Sequence, residues 1–103
     1  MLQIAEKHVE ELGEKAGIPT ILYYDDIIKK PYGNIYDFTS KKFFETQEEK
    51  YAVLGDAPFL VENETGKVIS FGTAYPLEYY IDLYEKGLFI PALDGVWEYK
   101  ELD

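Results

Sequence analysis

The chain reads as a single α+β domain. We expect an N-terminal helix, an antiparallel sheet of about four strands in two hairpins, a second helix packed on that sheet, and a C-terminal tail packed across the domain. Three observations predict this. Apolar residues recur at helical spacing at the start of the chain and again near residue 80. Between them lie short β-branched and aromatic runs, punctuated by Gly, Pro and Asn. And 103 residues with 47% hydrophobic content suffice for one core without metal or disulfide support.

Leu2, Ala5, Val9, Leu12 and Ala16 form the first apolar stripe, with Glu6, Lys7, Glu10, Glu11 and Glu14 between them. Gly17 is the stop signal, and Pro19 prevents continuation. His8, the chain's single histidine, is expected at the boundary of the stripe. Residues 20–28, TILYYDDII, read as a strand whose two faces are both mixed in polarity. Residues 29–34, KKPYGN, are a turn cluster, and residues 35–40 a second strand forming a hairpin with the first. KKFFET, residues 41–46, either extends that strand past a bend or starts a short turn anchored by Phe43 and Phe44. Residues 45–55 read either as an acidic loop or as one short helical turn with Tyr51, Val53 and Leu54 folding back.

A second hairpin follows. Residues 58–63 form one strand, Asn63-Glu64-Thr65-Gly66 the turn, with positive φ at Gly66, and residues 67–73 the partner. Ile69 and Phe71 should face the core. Pro76 opens the second helix as its first residue, with Glu78 in the first turn. Leu77, Tyr80, Ile81 and Tyr84 face the sheet, while Tyr79, Asp82 and Glu85 point outward. Gly87 closes the helix. The tail carries Leu88, Phe89, Ile90, Leu93, Val96 and Trp97. We expect these to pack across the domain, with residues 95–100 adding a short edge strand anchored by Trp97; the alternative is that the tail is contact surface for a partner.

Twenty acids stand against ten bases, for a net charge of −10, and every base is lysine. Such a chain repels nucleic acid, so DNA or RNA binding is not expected. The charge favours solubility, or steers association toward a basic partner. Ten tyrosines supply stiff amphipathic contact area suited to interfaces. Cysteine is absent, which removes disulfides, thiolate nucleophiles and thiolate metal sites and fits a cytoplasmic location. Neither a secretory leader nor a membrane span is expected.

No catalytic arrangement stands out. The adjacent Asp25 and Asp26 point to opposite faces of a strand. Neither Ser40 nor Ser70 sits in a nucleophile elbow that could employ His8. Phosphate-binding glycine loops are missing, and Asp56, Glu62 and Glu64 lack calcium-loop spacing. No catalytic residue, cofactor or metal is therefore assigned. Twenty acids do supply many accidental carboxylate pairs, so a carboxylate hydrolase is a distant third reading.

From about residue 34 to residue 84 the chain resembles the YrhB-like family, also called immunity protein 35. The residues that carry the likeness are Phe38, Phe43-Phe44-Glu45-Thr46, Leu54-Gly55-Asp56-Ala57-Pro58-Phe59, Thr65-Gly66, Phe71-Gly72-Thr73-Ala74 and Pro76-Leu77-Glu78-Tyr79-Tyr80-Ile81 with Tyr84. Asn34-Ile35 stand where the family often shows tryptophan, and Gly55-Asp56 where it shows Gly-Asn. Residues 88–103 lie beyond the family pattern. The resemblance implies a bacterial cytoplasmic immunity protein of a polymorphic toxin system, which binds and occludes a cognate toxin and catalyses nothing. The alternative is a small holdase-like chaperone with no dedicated toxin. The partner-binding face is expected at Glu45, Glu48, Glu49, Tyr51, Asp56, Tyr75, Tyr79 and Asp82, chosen for exposure and chemistry. Oligomeric state is left open.

Overall fold

The computed structural model describes residues 1–48 and 57–99. Helix α1 spans Leu2–Ala16 and ends at Gly17, whose left-handed conformation lets the 17 and 18 amides bond back to Glu14 and Gly13. Strand β1 is Thr20–Leu22, a 3-10 turn covers Tyr24–Asp26, and strand β2 is Ile28–Lys30. Strand β3 is Gly33–Tyr36, strand β4 Phe38–Ser40, and helix α2 Lys41–Thr46. Strands β5 and β6 are Phe59–Glu62 and Lys67–Ser70, helix α3 is Leu77–Glu85, and strand β7 is Val96–Glu98.

Two sheets result, both antiparallel. One pairs β1 with β4; the other has five strands in the order β2-β3-β5-β6-β7. The single strand expected over 20–28 is thus broken into β1, the turn and β2. The Tyr23 amide donates to the Asp37 carbonyl, and the Asp26 amide folds back to Tyr23. The chain therefore leaves β4 and turns before joining β3. That bend explains why neither face of TILYYDDII keeps a clean period. The expected second strand breaks at Asp37, whose carboxylate accepts from the Phe38 amide at 2.8 Å. The expected hairpin survives as two antiparallel pairings on either side of these breaks. Its turn is just Pro31-Tyr32, with Lys30 opposite Gly33.

KKFFET is helical because Ser40 caps it, accepting from the Phe43 amide at 3.0 Å. Phe44 is no anchor: it stays half in solvent beside Tyr23. Gly66 has the expected positive φ, 73°. Pro76 is the N-cap of α3 rather than its first residue.

The five-stranded sheet is covered on both faces. On one, Phe59, Val61, Val68 and Tyr36 pack with Ala5 and Val9 of α1, joined by Phe38 of β4 and Leu22 of β1. On the other, Ile35, Leu60, Ile69 and Phe71 pack with Leu77, Tyr80, Ile81 and Tyr84 of α3. Ile69 and Phe71 face a core as expected, and so does Val68 on the other face, because the sheet is clad on both sides. His8 is not a boundary residue. It is 2% exposed, with its ring 4.7 Å from that of Phe59 and 4.5 Å from that of Trp97.

The tail departs furthest from expectation. Trp97 packs against the α1 core through β7, and Phe89 packs against the α3 core. Leu88, Ile90 and Leu93 do not pack: Leu88 is 62% exposed, Ile90 88%, and Leu93 fully exposed. Pro91, Ala92 and the turn at Leu93-Asp94 hold this short connection away from the sheet until Gly95 rejoins it.

Candidate partner-binding face

Helix α3 and the segment before it assemble an aromatic ladder. Tyr75 and Tyr79 are exposed, with ring centroids 4.5 Å apart. Beneath them Tyr80 is buried, stacked on Phe71 at 6.1 Å, and its hydroxyl accepts from the Tyr75 amide at 3.3 Å. Phe89 meets Phe71 edge-on at 5.2 Å and Tyr80 at 6.2 Å. Gly72 makes this approach possible, since a Cβ there would lie 2.5 Å from the Tyr80 hydroxyl oxygen.

Next to the ladder opens a cleft of about 430 Å³, lined in part by Gly72, Tyr80, Phe89, Ile90 and Gly95. Tyr80 and Phe89 line this cleft together with Ile90, which is exposed, as is Leu93 three residues on. Exposed aromatic and aliphatic side chains of this kind mark interaction sites. Glu78, Asp82 and Asp94 supply nearby carboxylates. Asp82 is paired with Lys86 at 2.9 Å, one helical turn away.

Of the residues expected to bind a partner, Tyr75, Tyr79 and Asp82 come together here. Glu45 lies on α2 and Glu48 just beyond it. That helix packs against β1 and β4, so these two acids belong to a different region from the ladder. Glu49, Tyr51 and Asp56 lie outside the described residues. The exposure of Leu88, Ile90 and Leu93 departs from the packing expected of the tail and agrees with its alternative, a tail that lies at the surface. The available signal was Pro91 and Gly95, which break the segment into pieces too short to cover a core.

Two other clefts have different chemistry. A larger one, about 770 Å³, runs between α1 and β1, with Glu6, Glu10 and Glu14 along one side and Ile18, Ile21 and Leu22 along the other. Its one aromatic, Tyr24, donates its hydroxyl to Glu6 at 2.7 Å. Another, near Tyr32 and Tyr84, holds two tyrosine–carboxylate bonds: Tyr84 to Glu62 at 2.5 Å, and Tyr32 to Glu85 at 2.8 Å. Burial, with the carboxylates' help, pushes both of these phenols well above the usual tyrosine range. These carboxylates act as hydrogen-bond acceptors. Lys30 also pairs with Glu85 at 3.2 Å, and these bonds hold its carboxyl below its ordinary range.

On the opposite sheet face, His8 Nδ1 lies 3.1 Å from the Tyr99 hydroxyl, which donates to Glu11 at 3.3 Å. With the single phenolic proton on the Glu11 side, Nδ1–H is the donor to Tyr99. Burial lowers the His8 pKa to about 4, partly opposed by Glu11. Burial, reinforced by Glu11, raises that of Tyr99 to about 12. The relay ties the end of the tail to α1. Among the described residues no group of three or more His, Asp or Glu side chains is placed to hold a metal ion, and no helix is long and apolar enough to cross a membrane.

The chain is 40% identical over 53 residues to a protein of Escherichia coli K12 whose printed name is "Uncharacterized protein YrhB". The match covers 52% of this chain and 56% of YrhB, so the chain spans about half the length of the curated relative it matches. No family profile and no solved structure matches. The likeness to YrhB is therefore supported over about half the chain, and the printed name carries no activity.

Proposed function

We propose that this chain is a binding protein that neutralises a bacterial toxin domain by covering it, without catalysing a reaction. The observation that carries the reading is the set of exposed large side chains, Tyr75 and Tyr79 as one ring pair and Ile90 and Leu93 on the segment that lines the adjoining cleft, on a chain of net charge −10. Large aromatic and aliphatic side chains at the centre of an interface supply most of its affinity, and complementary charge speeds the encounter. The resemblance to the immunity protein family supports the toxin as the class of partner, and the cytoplasm as the place of action. The test is co-expression with a toxin domain encoded beside this chain's gene. Rescue of growth together with a stoichiometric complex is expected. A pair that neither co-purifies nor rescues growth removes the reading.

The same exposed aliphatic residues also favour a holdase that shields unfolded clients. That second reading predicts suppressed light scattering from unrelated proteins at elevated temperature, and unchanged scattering eliminates it.

A further inference from the structure

The five-stranded sheet has two outer strands, and they are protected unequally. Strand β2 carries Lys29 and Lys30 and runs into Pro31, the residues that blunt a sheet edge. Strand β7 reads Val-Trp-Glu, and its outer side has no hydrogen-bonded neighbour among the described residues. The Ser70 amide donates to the Gly95 carbonyl at 2.8 Å. Antiparallel alternation then turns Gly95 and Trp97 inward toward β6, and leaves the amide and carbonyl groups of Val96 and Glu98 on the open side. The short β1–β4 pair, by contrast, is flanked by α1 and α2.

The geometry points to β7 as a docking edge that accepts an extended, lysine- or arginine-bearing strand of a partner protein, extending the sheet to six strands. The exposed Leu93 and Ile90 precede this edge in the chain, so an added strand gains main-chain bonds from β7 and apolar contact from the loop before it. Charge selects the occupant. Asp94 and Glu98 flank the edge, with Lys67 opposite Glu98 in the ladder, and the whole chain carries −10. A second copy of the chain would bring another −10 to the same place, whereas a basic strand is attracted. The inference rests on the partner-binding reading and names the backbone mode by which the partner is held.

The probe is a synthetic ten-residue peptide of alternating lysine and valine, compared with its glutamate–valine counterpart and with a version N-methylated at alternate amides. The readout is amide NMR of the intact chain. We expect saturable shifts and slowed exchange at Val96 and Glu98, at least tenfold weaker for both control peptides. Val96→Pro removes only an outward amide and should weaken the peptide by a similar factor. The N-methylated peptide makes the same test with the protein unaltered, should that variant fold poorly. Equal binding by the N-methylated peptide, shifts confined to Glu6, Glu10 and Glu14, pairing of β7 with a second copy, or no binding would each overturn the proposal. A toxin captured equally by Val96→Pro and by the unsubstituted chain overturns the edge while leaving the partner-binding reading intact.

Discussion

The two faces of the central sheet are finished differently, and one segment does both jobs. On the α1 face the tail closes the structure: Trp97 packs on His8, and Tyr99 ties His8 to Glu11. On the α3 face the same tail contributes Phe89 to the core, then leaves Leu88, Ile90 and Leu93 in water. A chain able to bury His8 completely has apolar side chains to spare, yet spends three of them on solvent. The closed face supplies stability; the open face presents apolar surface at little stabilising benefit to the fold, which is the pattern of a surface kept for a partner.

This contrast can be broken from the closed side first. Phe59 is fully buried against α1, so Phe59→Ala should destabilise the fold by about 3–5 kcal/mol in urea unfolding. The next effect is one of pH. His8 is held neutral with its pKa near 4, whereas the unfolded chain binds that proton near 6.5. Its contribution is complete above pH 6.5 and is lost as pH falls toward 4, amounting to about 3 kcal/mol. Urea midpoints across that window should fall more steeply for the unsubstituted chain than for His8→Gln.

On the open side the effects on stability shrink. Gly72→Ala should cost about 1–3 kcal/mol by driving Tyr80 off the Tyr75 amide, read by thermal unfolding and by the Tyr75 amide resonance. Ile90→Asp with Leu93→Asp should change stability by less than about 0.5 kcal/mol, since both side chains are already in water. The same pair should abolish co-purification with the proposed toxin partner, because it places charge on the exposed apolar side chains.

Much of this fold was legible in the sequence. The stripe of α1, the outward Tyr79 and Asp82, the Gly66 turn and the edge strand around Trp97 follow from period and turn chemistry alone. What was hidden depended on tertiary partners. The break at Asp37 exists because Tyr23 bonds its carbonyl, and α2 exists because the Ser40 side chain accepts from the Phe43 amide. The burial of His8 needed Trp97 and Phe59, which are far from it in the chain. The candidate site was half legible. Tyr79 follows from helix phase and Tyr75 from its amphipathic chemistry beside the Pro76 cap, whereas the exposure of Ile90 and Leu93 runs against hydropathy and emerges only from the tertiary structure.

The most direct test of the open face is a hydrogen-exchange footprint of the chain bound to a toxin domain of the class proposed as its partner. The account predicts slowed exchange across residues 75–82 and 88–98, with residues 1–26 unchanged. Slowing confined to residues 1–26, with the Tyr75–Tyr79 ladder and the 88–98 segment exchanging as in the free chain, would contradict it.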